Sequence, residues 1–137
     1  MSLKTSITRK EHFNAAHRLH NENWSDEINK STFGHCNNEY FHGHNYDLEV
    51  KVSGFCDPQT GYVIDAKKLK NVIKTKVIDE FDHKNLNIQV KEFFETIPTV
   101  ENIARVIYDR LRNEIDEKLD IKIKLYETPR IFAEYPG

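Results

Sequence analysis

The stretch that decides the fold reads His42-Gly43-His44-Asn45-Tyr46-Asp47-Leu48-Glu49-Val50-Lys51-Val52. From Asn45 onward polar and apolar residues alternate without a break, which is typical of a β-strand with one buried face. Side chains two residues apart on a strand point to the same side. His42 and His44 therefore present two imidazoles side by side, and Gly43 adds no bulk between them.

Two convergent imidazoles form half of a metal site, and Zn²⁺ is the usual occupant of nitrogen-rich sites. A third candidate ligand is His17, which closes the strand-like segment that contains Phe13. Three histidines leave a tetrahedral ion one open position, which is typical of catalytic zinc. A His-x-His pair taken alone also fits surface histidines that bind no metal, and that alternative stays open at this point.

Composition limits the classes of function. The 137 residues predict a single domain over residues 1–137. A formal charge of −2 provides no basic field for nucleic acid or an anionic membrane. Apolar runs are short and the start of the chain lacks a signal-peptide pattern, so we expect a soluble, cytoplasmic protein. In that compartment Cys36 and Cys56 are expected to be free thiols.

Periodicity predicts the remaining elements. A helix start is expected at Ser25, and an amphipathic helix should run over Asp65–Phe81. A second helix should begin at Thr99, with Glu101 in its first turn and a buried stripe from Ile103 to Ile115. Strands are predicted over Thr5–His17, Tyr46–Phe55, Asp120–Tyr126 and Ile131–Tyr135. Together these elements predict an α+β domain with an antiparallel β-sheet and two helices on one face.

Six short motifs follow one another in a specific order. They lie in Phe13–Leu19, Gly34–Tyr46, Asp57–Gly61, Asp82–Leu86, Pro98–Asn102 and Tyr126–Thr128. In this order they resemble the 6-pyruvoyl-tetrahydropterin synthase family, which includes the bacterial 6-carboxytetrahydropterin synthases, over nearly the whole chain. The resemblance implies a tunnelling fold, in which sheets from several subunits join into a barrel, and a homohexamer built as a dimer of trimers.

The resemblance also implies site residues and a substrate. His17, His42 and His44 would hold Zn²⁺, and the ligand would be a small-molecule pterin, with no nucleic-acid or membrane partner. Cys36 would be the base, since a thiol beside cationic groups is readily deprotonated. Asp82 and His83 would form a proton relay.

Three further positions are implied to contact the pterin. Glu127 can accept two parallel N–H bonds from the aminopyrimidine edge, a geometry that suits a carboxylate. Thr99 and Glu101 lie at a helix start that resembles the segment beside the pterin in the family.

Each of these residues has a simpler interpretation. Cys36 could complete a closed zinc site in a binding module without catalysis, and Asp82 could cap a helix. His83 could be an ordinary exposed histidine, and Glu127 a plain strand end. The chain also departs from the family pattern at His35 and at Glu39-Tyr40-Phe41, where the family more often has lysine and Pro-Asn-Gly; the bulkier residues are expected to reshape the substrate mouth.

The family resemblance leaves two reactions of 7,8-dihydroneopterin triphosphate open. One eliminates triphosphate and gives 6-pyruvoyltetrahydropterin for tetrahydrobiopterin. The other releases acetaldehyde and triphosphate and gives 6-carboxytetrahydropterin for queuosine. The five residues between Cys36 and His42 resemble the first branch, which we therefore favour. Cys36 disfavours the branch that uses glutamate at this position. A glycine-rich phosphate loop is not visible, so basic side chains of a neighbouring subunit are expected to bind the triphosphate.

Overall fold

A five-stranded sheet forms the frame of the molecule. The computed structural model describes residues 3–137, so the first two residues of the predicted domain lie outside the described part. The strand order is β3-β1-β2-β4-β5. The strands are β1 (Thr5–His17), β2 (His42–Gly54), β3 (Lys84–Asn85), β4 (Asp120–Thr128) and β5 (Ile131–Tyr135).

Five α-helices accompany the sheet. They are α1 (Asp26–Phe33), α2 (Ala66–Ile73), α3 (Asp79–Phe81), α4 (Leu86–Gln89) and α5 (Val100–Arg112). A π-helical turn, Lys74–Ile78, joins α2 to α3, and 3₁₀ turns cover Gly34–Asn37 and Lys91–Phe94. The α+β class predicted from the sequence is thereby confirmed.

The long β1–β2 hairpin brings the two ends of the candidate site together. Antiparallel pairing runs from Thr5 opposite Gly54 to His17 opposite His42. The second strand therefore begins at His42 and not at the predicted Tyr46, because β1 supplies backbone partners along the whole His-Gly-His segment. This register fixes His17 beside His42 on the sheet.

The helices cover one face of the sheet and enclose the core. Ser25 and Thr99 cap α1 and α5 as predicted, accepting hydrogen bonds from the amides of Ile28 and Asn102 at 3.2 and 3.1 Å. Helix α5 ends at Arg112, so Ile115 lies beyond the helix, although it remains buried. Fully buried core residues are Phe13, Tyr46, Leu48, Ile73, Phe81, Ile107, Leu111, Ile123 and Leu125.

The prediction of a wholly antiparallel sheet was wrong at one edge. The two-residue strand β3 pairs parallel to β1, with Lys84 opposite Ala15. The segment from β3 through the second 3₁₀ turn was not predicted, because its elements are too short to show a periodic pattern. Its significance is that it anchors the residues that follow Asp82 to the end of β1.

The other face of the sheet is polar. We call it the polar face; it carries Lys10, His12, Asp47, Glu49, Lys51, Lys122, Lys124 and Glu134, at strand positions that alternate with the core residues. Among residues 3–137, no helix has the length and apolar character that a membrane crossing requires.

Candidate metal centre and active site

Three histidines meet at the end of the hairpin. One ring nitrogen from each of His17, His42 and His44 lies within 4.8 Å of the other two. The ring centroid of His17 is 4.5 Å from that of His42 and 5.1 Å from that of His44. Strand alternation places all three on the helix-covered side, so the structure brings together the ligand set predicted from the sequence.

The nitrogens of this cluster are buried without hydrogen-bond partners. The atoms concerned are Nε2 of His17, Nδ1 of His42 and Nε2 of His44. Buried polar atoms are rarely left unpaired unless an ion or water satisfies them. Nδ1 of His17 is 2.7 Å from the carbonyl oxygen of Pro98, to which it donates, so Nε2 keeps its lone pair. Three convergent lone pairs fit a divalent metal.

Burial favours the neutral form of His17 and His42. Burial above all, together with the neighbouring imidazoles of His42 and His44, lowers the pKa of His17 to about 4, against the opposing effect of the Pro98 carbonyl. Burial and then His44 lower the pKa of His42 in the same way. Neutral imidazole is the form that coordinates metal, so the site is electrostatically prepared for a cation.

Tyr46, on the same strand as His42 and His44, and Glu127, on the neighbouring strand β4, flank the histidines. The Tyr46 hydroxyl lies 3.4 Å from Nδ1 of His17, and its ring is edge-on to that of His44. Burial, followed by the charges of Glu127 and Cys36, raises the pKa of Tyr46, which places both groups near its hydroxyl. Tyr46 is therefore a neutral phenol at the centre of the site.

Glu127 points at the metal cluster from a β-bulge. The β4–β5 register shifts between Tyr126 and Thr128, which leaves Glu127 without a partner on β5. One carboxylate oxygen is 3.6 Å from Nε2 of His44, and the side chain is one-fifth exposed. Bulges redirect side chains next to active sites, and this one leaves a partly accessible carboxylate beside the histidines.

Cys36 is a free, partly exposed thiol on the first 3₁₀ turn. Its carbonyl accepts a hydrogen bond from the amide of Leu19 at 2.9 Å, which ties the turn to the chain just after His17. Within residues 3–137, the residues gathered for metal binding are the three histidines, and Cys36 is not among them. This arrangement argues against a closed structural site with Cys36 as fourth ligand.

Asp82 and His83 form a pair at the edge of the sheet. His83 Nδ1 is 3.0 Å from a carboxylate oxygen of Asp82, whose other oxygen accepts the Asn14 amide at 2.9 Å. The Asn14 amide and then His83 hold the pKa of Asp82 below its ordinary value, despite partial burial. His83 has φ +61° and a side chain that is 77% exposed. The imidazole is therefore largely exposed, and among residues 3–137 it is not one of the three clustered histidines.

Comparison with known proteins decides the family. The family model described as 6-pyruvoyl tetrahydropterin synthase matches residues 6–137. The chain belongs to the 6-pyruvoyl tetrahydropterin synthase family. The resemblance recognised in the sequence is confirmed, and with it the expectation of an enzyme family.

Individual members of the 6-pyruvoyl tetrahydropterin synthase family support the assignment. A 6-pyruvoyl tetrahydrobiopterin synthase of Poecilia reticulata is 42% identical over 96% of this chain and 89% of its own. The structure of Caenorhabditis elegans 6-pyruvoyl tetrahydropterin synthase superposes with a TM-score of 0.93 at 40% identity, covering 99% of this chain and 97% of that one. A 6-carboxy-5,6,7,8-tetrahydropterin synthase of Haemophilus influenzae is 35% identical over 74% of this chain and 84% of its own.

Thr99 and Glu101, the other predicted pterin contacts, occupy the start of α5. The Thr99 hydroxyl accepts the Asn102 amide and thus works as a helix cap, while Glu101 is exposed in the first turn. The preceding carbonyl, that of Pro98, holds His17. The helix start therefore lies against the metal cluster, where the family resemblance expects the pterin.

Sequence reasoning missed two groups that contact His17, the Tyr46 hydroxyl and the Pro98 carbonyl. Tyr46 belongs to the strand that was recognised, but its apolar ring indicated only a core position. The Pro98 carbonyl is a backbone group, and nothing in a sequence marks its direction. A buried tyrosine two residues after a histidine ligand, on the same strand face, was the available signal for the first.

Proposed function

We propose that this chain is a zinc-dependent lyase that converts 7,8-dihydroneopterin triphosphate into 6-pyruvoyltetrahydropterin with loss of triphosphate. The observation that carries the proposal is the triangle of unpaired buried imidazole nitrogens, accompanied by the Cys36 thiol, which is not part of it but acts electrostatically on the adjoining Tyr46. Three protein ligands leave a coordination position for substrate, as in catalytic zinc sites.

The residues of the chain divide the chemistry between them. His17, His42 and His44 would hold Zn²⁺. When bound, the ion would supply Lewis-acid chemistry, polarising oxygen atoms of the substrate side chain and making the adjacent C–H and O–H groups more acidic. Cys36, as a thiolate, takes a proton from a side-chain carbon.

Glu127 and the Asp82–His83 pair complete the site in this proposal. The Glu127 carboxylate accepts hydrogen bonds from the aminopyrimidine edge and fixes the orientation of the ring. Asp82 holds Nδ1–H of His83, which leaves Nε2 free to exchange a proton with the substrate. Thr99 and Glu101 provide further contacts from the start of α5. We also propose a cytoplasmic location, which the two free cysteines, Cys36 and Cys56, support.

6-Carboxytetrahydropterin synthesis is the second candidate. The Haemophilus influenzae relative with that name covers 74% of this chain, whereas the Poecilia reticulata 6-pyruvoyl tetrahydrobiopterin synthase covers 96%. Separation of the pterins formed from 7,8-dihydroneopterin triphosphate, with an assay for acetaldehyde, tests the choice. We expect 6-pyruvoyltetrahydropterin and no acetaldehyde; stoichiometric acetaldehyde would assign the chain to the second reaction.

We further propose that copies of the chain join edge to edge into a barrel, three per ring and two rings per hexamer. Strand β5 is one edge of the sheet, and on the other side β3 covers only Ala15 and Ala16 of β1. Free strand edges invite pairing with another chain. Neighbouring strands β1, β2, β4 and β5 are antiparallel in turn, so β5 of one copy can pair antiparallel with β1 of the next.

Charges on the polar face support a register for this contact. Lys10, Glu49, Lys124 and Glu134 are successive cross-strand partners, so charge alternates across the sheet. The row ends in Lys10 on one edge and Glu134 on the other. A neighbouring copy that places its Lys10 beside Glu134 continues the alternation, and opposite charges across strands stabilise pairing.

A charge exchange tests the contact. Lys10→Glu and Glu134→Lys should each weaken assembly, and the double variant should restore it, as measured by mass at dilute concentration. Inside one chain the double variant repairs nothing, since Lys10 faces Glu49 and Glu134 lies 3.4 Å from Lys122. Additive loss of assembly in the double variant would contradict this register.

In the proposed assembly, two neighbouring copies of the chain contribute residues to one active site. The His83 side chain is 77% exposed and is not part of the three-histidine cluster, so we propose that it serves the site of a neighbouring copy. Co-expressed His44→Ala and His83→Ala chains should then regain activity that neither has alone. Mixed hexamers, verified by mass, that stay as inactive as their parents would place each site within one chain.

A further inference from the structure

The helix that leads to the Asp82–His83 pair contains a π turn. Lys74–Ile78 are π-helical, and the three residues of α3 that follow end directly at Asp82. The Asp82 amide donates a hydrogen bond to the carbonyl of Ile78 at 2.9 Å, and the His83 amide donates one to the carbonyl of Asn14 at 2.6 Å. π turns are rare and frequently occur at functional sites. We therefore expect the contacts made by the π turn to affect the position of the Asp82–His83 pair.

One side chain of α5 holds the turn from outside. Arg110 donates from Nη1 to the carbonyl of Lys76, inside the π turn, at 2.9 Å. Its Nε and Nη2 atoms donate to the two carboxylate oxygens of Glu92, both at 2.7 Å. The guanidinium carbon lies 5.0 Å from the ring centre of Phe81, the residue before Asp82.

These contacts fix the chain on both sides of the pair. Phe81 is fully buried and precedes the pair, while Glu92 follows it in the second 3₁₀ turn. The side chains of Arg110 and Glu92 are only 18% and 28% exposed, and the two-bond geometry is the strongest that arginine forms with a carboxylate. A planar guanidinium with five donors can contact the carbonyl, the carboxylate and the ring at the same time. A lysine ammonium does not have the geometry for all three contacts.

We propose that Arg110 is a positioning residue for the Asp82–His83 pair. It does not reach the reacting atoms; it sets the path of the segment that presents His83 outward. The catalytic consequence rests on the proposed function, in which His83 exchanges a proton with the substrate.

The test compares Arg110→Gln with Arg112→Gln. Arg112 is the matched control because it also lies in the last turn of α5 and binds three carbonyls, those of Leu119, Ile115 and Asp116, away from the pair. Arg110→Lys is a second variant for the case that the glutamine variant fails to fold. It keeps the positive charge and loses the paired hydrogen bonds of the guanidinium to Glu92. Amide hydrogen exchange, metal content, kcat and KM are measured on each hexamer.

We expect Arg110→Gln to accelerate exchange of the Asp82 and His83 amides about tenfold relative to the amides of α5. Its kcat should fall about tenfold with KM and metal content little changed, because orientation and not binding is lost. The exchange rates of the Asp82 and His83 amides and the kcat of Arg110→Lys should lie between those of Arg110→Gln and the wild type. Arg112→Gln should lower global stability without singling out either amide.

Equal exchange at the two amides in the Arg110 and Arg112 variants would overturn the proposal. So would unchanged kcat in Arg110→Gln when His83→Ala abolishes turnover. If His83→Ala itself retains full turnover, the pair's role in the proposed function fails, and the exchange data alone then decide whether Arg110 holds the segment.

Discussion

The ring of His17 is tied to the carbonyl of Pro98, 81 residues further along the chain, by a 2.7 Å hydrogen bond. This contact joins the end of β1 to the start of α5 and selects the tautomer with the proton on Nδ1. Ligand histidines are commonly oriented by such a bond from the nitrogen that does not bind metal. The metal centre and the helix start therefore form one unit.

Removal of one ligand should release the metal. We predict that His42→Ala loses most of its bound metal, because two imidazoles are a poor site for zinc. His12→Ala is the matched control, since His12 is exposed on β1 and stands outside the cluster. Metal analysis after dialysis checks this; a His42→Ala protein with full zinc content would rule out the assigned ligand set.

Acid should destabilise the metal-free protein through His17. Its pKa is about 4 when folded, against an ordinary value of 6.5, so between these pH values the unfolded chain binds more protons. The contribution of His17 to the free energy of unfolding is constant above this window. As pH drops through the window this contribution falls by up to about 3 kcal/mol. Urea unfolding of metal-free protein from pH 7.5 to 4.5 measures the effect.

A His17→Gln variant isolates this contribution. It lacks the titrating ring, so its free energy of unfolding should depend less on pH than that of the wild type. Identical pH profiles for the wild type and His17→Gln would show that His17 is not held neutral by burial.

Glu127→Gln should weaken substrate binding and spare the metal. The neutral amide replaces a charge-assisted acceptor pair with one acceptor and one mismatched donor, which should raise KM about 10- to 100-fold. Steady-state kinetics and metal analysis on one preparation check this. A KM within about twofold of wild type would remove Glu127 from the pterin site.

Thr99→Ala should cost about 1 kcal/mol of unfolding free energy, the usual effect of losing a helix cap. Thr99→Ser keeps the hydroxyl that accepts the Asn102 amide and should remain close to wild type. Denaturant unfolding compares the two variants. Equal stabilities would mean that the cap contributes nothing, and any rise in KM in the alanine variant would then report pterin contact alone.

The sequence predicted the parts of the fold that follow a period. Strand alternation located β1, β2, β4 and β5, and capping chemistry located the starts of α1 and α5. The same alternation put His42 and His44 on one face, and the register against β1 then brought in His17. Local pattern was sufficient here because the ligands lie on adjacent strands.

Features set by tertiary contact were beyond the reach of pattern. Strand β3 is two residues long and exists because β1 offers it an edge. The bulge that carries Glu127 lies in the pairing of β4 with β5, and the π turn before Asp82 accepts a hydrogen bond from Arg110 at the carbonyl of Lys76. Each arises from residues distant in sequence, so no window of neighbouring residues contains its cause.

The most direct test of the proposed site is turnover by Cys36→Ala at full metal occupancy. Cys36 acts electrostatically on Tyr46 and is not part of the three-histidine cluster, so its loss should leave metal content and fold unchanged. With the base removed, we predict that turnover falls about 10²- to 10⁴-fold. Loss of zinc would instead identify Cys36 as a fourth ligand, and a fall of less than about tenfold would show that the base is another group.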